Sequence, residues 1–130
     1  MNSKYGFGKF VDYDYETAFD KTKNELQKEG FGILTDIDVS ATFKKKLNLD
    51  MPAYHILGAC NPQFAHQALT IDPSIGLLLP CNIVIRQTEN GKVYIEIMDP
   101  NAVLEMVKNP EINKIASEVR NKLEKVLQSL

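Results

Sequence analysis

A chain of 130 residues has the length of one domain, residues 1–130. With 44% apolar and 25% charged residues it can bury a core without a disulfide or a structural metal. Fifteen basic against seventeen acidic residues leave a net charge of -2, which argues against nucleic-acid binding through bulk positive charge.

Residues 1–10 hold no signal-like apolar run. The longest apolar stretch, 75–85, is broken by Gly76, Pro80 and Asn82 and is too short to cross a bilayer. A soluble cytoplasmic protein with two reduced thiols is the expectation.

Residues 5–11 read as a first strand, weakened by Gly6 and Gly8. Asp14 is placed to cap a helix reaching about Glu29, with Ala18, Phe19, Thr22 and Leu26 inward and Gly30 as a left-handed stop. Residues 31–39 read as a second strand. Regular alternation puts Phe31, Ile33, Thr35 and Ile37 on one face and Gly32, Leu34, Asp36 and Asp38 on the other. A short helix follows, capped by Asp38 or Ser40, with Val39, Phe43 and Leu47 spaced four apart. Its consecutive Lys44, Lys45 and Lys46 fan out as a solvated surface; the alternative is a small basic patch for an acidic ligand.

The stretch 54–82 holds both cysteines and both histidines. Residues 54–60 are a third strand, and Asn61-Pro62 opens a helix carrying Phe64, Ala65, Ala68 and Leu69 that stops near Asp72-Pro73. Asx-Pro pairs recur at Asn61-Pro62, Asp72-Pro73, Asp99-Pro100 and Asn109-Pro110, each joining a capping side chain to a preset backbone angle. Residues 77–88 and 92–99 form a β-hairpin. Of two possible registers, a three-residue loop with left-handed Gly91 gathers one apolar row by pairing Ile95 with Ile85 and Ile97 with Ile83. It also sets Arg86 opposite Tyr94 and Cys81 opposite Asp99. Residues 101–107 form a short helix. The last helix, 109–130, carries an apolar stripe from Ile112 through Ile115, Ala116, Val119, Leu123 and Val126 to Leu130.

Leu57-Gly58-Ala59-Cys60-Asn61-Pro62 and Gly76-Leu77-Leu78-Leu79-Pro80-Cys81-Asn82 resemble the prokaryotic domain-of-unknown-function family three hundred and two. Residues 30–35 and 37–39, the helix with Ala65, His66 and Ala68, and Asp99-Pro100 extend the resemblance over nearly the whole chain. Asp36 departs from it, standing where a glutamate is expected. The resemblance implies an α+β fold: a curved, mainly antiparallel sheet of five strand segments with helices on one face, similar to the TATA-binding-protein architecture, and dimeric. It implies no activity.

Chemistry concentrates at Cys60 and Cys81. Cys60 ends a strand just before a helix, where unpaired N–H groups favour a thiolate. Cys81 faces the core in the expected register beside Asp99, a carboxylate that raises a thiol pKa. Asn61, Asn82 and Asp99, with Asp36 and Asp38, are candidates for the polar floor of a ligand site, and equally for turn caps. Cys60, Cys81 and His66 are weak candidates for a metal cluster, since no close-pair spacing is present and His55 lies on the other strand face from Cys60. Copper(I) or haem would suit the same residue types, and nothing selects them. The expectation is a homodimeric small-ligand-binding module with a polar and thiol-bearing pocket, with no metal, membrane or nucleic-acid partner. Its rivals are a thiol redox protein or enzyme using Cys60 and a purely structural dimerisation module.

Overall fold

The alternation of apolar residues along 81–87 and 93–98 builds the centre of the molecule. In the computed structural model, which describes residues 2–130, β1 (Asn2–Ser3), β2 (Gly6–Val11), β3 (Gly32–Asp38), β4 (Tyr54–Cys60), β5 (Cys81–Gln87) and β6 (Val93–Met98) form one antiparallel sheet. The strand order is β1-β2-β6-β5-β4-β3, so β5 and β6 are central and β3 is an edge. The hairpin adopts the three-residue register: Ile83 pairs with Ile97, Ile85 with Ile95 and Arg86 with Tyr94. Gly91 takes φ 85° and its N–H donates to the Thr88 carbonyl at 2.9 Å. Two rows therefore run across the helix-side face, Phe7–Ile97–Ile83–Leu57 and Lys9–Ile95–Ile85–His55.

Helices α1 (Tyr15–Lys28), α3 (Pro62–Ile71), α4 (Pro100–Leu104) and α5 (Pro110–Gln128) contribute the other half of the core. Asp14 accepts from the Thr17 N–H at 2.8 Å, and Gly30 closes the end of α1 at φ 88°. Ala18, Thr22 and Leu26 are fully buried, with Phe19 at the margin. Asn109 accepts from the N–H groups of Glu111 and Ile112, and α5 buries Ile112, Ile115, Ala116, Val119, Leu123 and Val126. Helix α2 (Val39–Leu47) is capped by Asp38, whose side chain accepts from Ala41 N–H at 2.9 Å, yet it buries no residue at all.

Three elements differ from the alternation and spacing of the sequence. Residues 73–78 form a 3-10 turn rather than the start of a strand; Asp72 accepts from Ser74 N–H at 3.0 Å and Ile75 plugs the core. The short N-terminal strand β1 adds a sixth strand to the five expected. In β3 the pairing jumps from Ile33–Ala59 to Thr35–Gly58, so Leu34 is the extra residue of a β-bulge. Beyond the bulge every side chain changes face. Asp36 and Asp38 pair with Leu57 and His55 on the helix side, while Thr35 and Ile37 turn outward. Regular alternation had grouped Thr35 and Ile37 with Phe31 and Ile33.

The outer face of the sheet carries Tyr54, Arg86, Tyr94 and Phe10 in one row. The Arg86 guanidinium lies 4.8 Å from the Tyr94 ring centroid, and Phe10 packs on the same ring at 4.8 Å. No helix among the described residues is long and apolar enough to cross a membrane.

Candidate functional site

The two cysteines meet through strand register. Cys81 opens β5 directly opposite Ala59, the neighbour of Cys60 at the end of β4. Both line one cavity of about 300 Å³ between the ends of these strands and helices α3, α4 and α5. Its back wall is Ala59 and Cys81; Phe64, Ala65 and Ala68 come from α3, and Ile115, Ala116 and Val119 from α5. Pro100 and Leu104 close the α4 side. Leu34, the bulged residue of the edge strand, stands at the rim and is 65% exposed. The bulge is what re-aims it there.

The space exists because small side chains face one another. Ala59, Ala68 and Ala116 are all buried, yet none reaches across the gap between sheet and helices. The walls are almost wholly apolar. This corrects the expected polar floor. Asn82 is exposed on the opposite face of the sheet, paired with Gly58. Asp99 does not pair with Cys81: the β5–β6 ladder ends at Ile83–Ile97, and the Asp99 N–H donates instead to the Tyr5 carbonyl at 2.8 Å. Its carboxylate caps α4 by accepting from Asn101 N–H at 2.9 Å. It also lies 3.2 Å from Arg120 Nε, an ion contact without an aligned hydrogen bond.

Asn61 lines the cavity but does not cap α3 with its side chain. Its amide donates over 3.4 Å to the Glu29 carbonyl, tying α3 to the end of α1. His66 is exposed on α3 in a separate groove with Glu111, Lys114 and Glu118, away from both sulfurs. The three-group cluster Cys60, Cys81 and His66 is therefore not assembled. Among the described residues no group of three or more His, Cys, Asp or Glu is placed to hold a metal.

Both thiols are free. Burial pushes the Cys60 thiol up, opposite to the lowering expected from the start of α3. Cys81 is pushed up to about 11, first by burial and then by negative charge on Cys60. That charge coupling places the sulfurs within electrostatic reach of each other. At neutral pH both are protonated and weakly nucleophilic.

Asp36 and Asp38 belong to a second cluster that sequence spacing missed. His55 Nδ1 lies 2.8 Å from Asp36 Oδ1 and Nε2 lies 3.6 Å from Asp38 Oδ2. Phe19 meets the imidazole edge-on at 5.0 Å, and Tyr15 tilts over it at 5.9 Å. The Tyr15 hydroxyl donates to the Ile85 carbonyl at 2.7 Å; burial and then the charges of Asp38 and Asp36 raise its pKa. His55 and Cys60 are five residues apart on β4, roughly 16 Å at strand rise. Asp38, opposite His55, thus stands well away from Cys60, whereas Asp36 pairs with Leu57, two residues from the cavity wall at Ala59. Only the one-residue bulge, invisible to regular alternation, brings them beside His55 on the helix side.

A family model described as a domain of unknown function, DUF302, matches residues 7–130. A crystal structure of an uncharacterized conserved DUF302 protein from Bacillus stearothermophilus is similar over 98% of both chains, with a TM-score of 0.89 and 28% sequence identity. No curated protein matches the chain.

Proposed function

Because the chain belongs to the DUF302 family, which carries no assigned activity, we propose its function from its own geometry: a homodimeric module that binds a small ligand in the cavity beside Cys60 and Cys81. The carrying observation is that cavity. A volume of about 300 Å³ lies at the lower end of small-molecule pockets, and it sits where helices meet strand ends. Among the described residues that line it, Asn61 and the two thiols are the only side chains able to hydrogen-bond. The protonated thiols favour binding over thiol catalysis. A cytoplasmic setting, in which both stay reduced, fits the same reading.

Support for the dimer comes from the side of the molecule around β3 and α2. Ile37, Phe43, Leu47 and Leu49 are exposed there, 41% to 61%, on an edge strand and on a helix that buries nothing. Lys44 of α2 is already paired with Asp50 at 2.9 Å, so the apolar residues carry this support.

Chemical-shift mapping with a small panel of neutral, cationic and anionic fragments tests the ligand reading. Saturable shifts that converge on Ala59, Ala68, Cys81 and Ala116 are expected from at least one fragment. Shifts scattered over the surface, or none, overturn it.

A further inference from the structure

We infer, resting on the cavity reading above, that the ligand is an uncharged apolar molecule of about ten non-hydrogen atoms, with a benzene-type ring the best-matched class. Size comes from the space: about 300 Å³ divided by about 30 Å³ for each water-sized group gives about ten. Apolar cavities of half that volume, about 150 Å³, stay dry and accept benzene.

Charge is excluded by what the walls lack. No Asp, Glu, Lys, Arg or His lines the cavity. Two carboxylates expected there are committed elsewhere: Asp99 to α4 and Arg120, Asp36 to His55. A charged group entering would shed its water with no opposite charge or hydrogen-bond set to replace it. One N–H of the Asn61 amide donates to Glu29, leaving its second N–H and its oxygen at the rim. One neutral polar group on the ligand is therefore tolerated, but a single amide does not replace the water shell of an anion.

Flatness comes from the wall chemistry. Phe64 and the two sulfurs are the polarizable groups of the lining. A neutral sulfur contacts an aromatic ring favourably, often at the ring edge, and a ring pairs with Phe64 by offset or edge-on packing. Both thiols stay protonated at neutral pH, so they present neutral sulfur rather than a thiolate that would repel the ring's negative face.

Toluene and benzoate share a seven-carbon skeleton and differ in charge, so they separate the class from the pocket. The full-length protein is titrated with each, following methyl resonances of Ala68, Leu104 and Ala116. Toluene is expected to shift all three saturably, with benzoate at least tenfold weaker. Ala68→Leu, which fills part of the space, is expected to abolish the toluene shifts at Leu104 and Ala116. Benzoate binding as tightly as toluene overturns the uncharged class while leaving the pocket. Shifts from neither compound, with fragments also silent at these methyls, overturn the pocket itself. Toluene shifts that persist unchanged in a folded Ala68→Leu variant place the ligand elsewhere and overturn the inference.

Discussion

Cys60 and Cys81 share one cavity but differ in how they meet water. Cys60 is half-buried and Cys81 is buried, and both thiols are raised. Alkylation with iodoacetamide is expected to modify Cys60 first, at neutral pH no faster than a free thiol, with Cys81 protected until the protein unfolds. A Cys60 that outpaces glutathione at pH 7 would restore the thiol-enzyme reading. Cys81 also makes stability depend on pH. Its folded pKa, about 11, stands above the ordinary 9.0, so the folded state keeps a proton that the unfolded state releases. The stabilisation is complete below about pH 9 and is lost as pH rises through about 11. Two pH units correspond to about 2–3 kcal/mol. Urea melts from pH 8 to 11 are expected to fall less steeply for Cys81→Ala than for the parent. Gly58 is the other residue with a narrow role. A Cβ there would strike Thr35 Oγ1, and Pro80 Cγ at 2.8 Å. Gly58→Ala is expected to cost about 1–3 kcal/mol in urea unfolding, and Thr35→Ala to recover part of it.

Among elements, the Asx-Pro pairs show how one dipeptide serves different ends. Asn109-Pro110 and Asn61-Pro62 look alike in sequence, and both place proline at the first turn of a helix. Asn109 accepts two backbone N–H bonds, whereas Asn61 accepts none and reaches instead toward α1. Asn109→Ala is expected to lower stability by about 1 kcal/mol, and Asn61→Ala by under about 0.5 kcal/mol, in the same denaturation assay. Equal losses would mean that both asparagines cap. Strand β3 is the element whose pattern misled. Its alternation was legible, its bulge was not, because one inserted residue leaves no mark in composition. The His55 cluster depends on that insertion, and with it the retention of an exposed edge strand against the sheet. His55→Ala is expected to speed amide exchange across β3 while leaving β5 and β6 protected.

For the molecule as a whole, the proposed dimer rests on the β3–α2 side, where four large apolar residues are exposed. Sedimentation is expected to give a dimer at micromolar concentration, and Phe43→Glu with Leu47→Glu a folded monomer that melts lower by the dimer's contribution and independently of concentration, since α2 contributes nothing buried to the core. A parent monomer at high concentration would remove the dimer without touching the cavity. The charge of -2 and the absence of any charged residue from the cavity walls describe the two surfaces separately: a balanced exterior and a neutral interior space.

What the chain decides alone is local and periodic. Alternation set the hairpin register, three-and-four spacing set α1 and α5, and Asp14, Gly30 and Asn109 marked their ends, as Asp72 marked the end of α3, through bonds made within a few residues. The stretch that brings Cys60 and Cys81 together was legible as well, because neighbouring strands carry both. The chemistry around them was not. Whether Asp99 faces Cys81 or caps α4, whether Asp36 points to a cavity or to His55, and whether facing alanines leave a gap all depend on where separate elements come to rest. Such outcomes follow from packing between residues distant in sequence, and a single bulge or a strand ladder ending two pairs early reverses them.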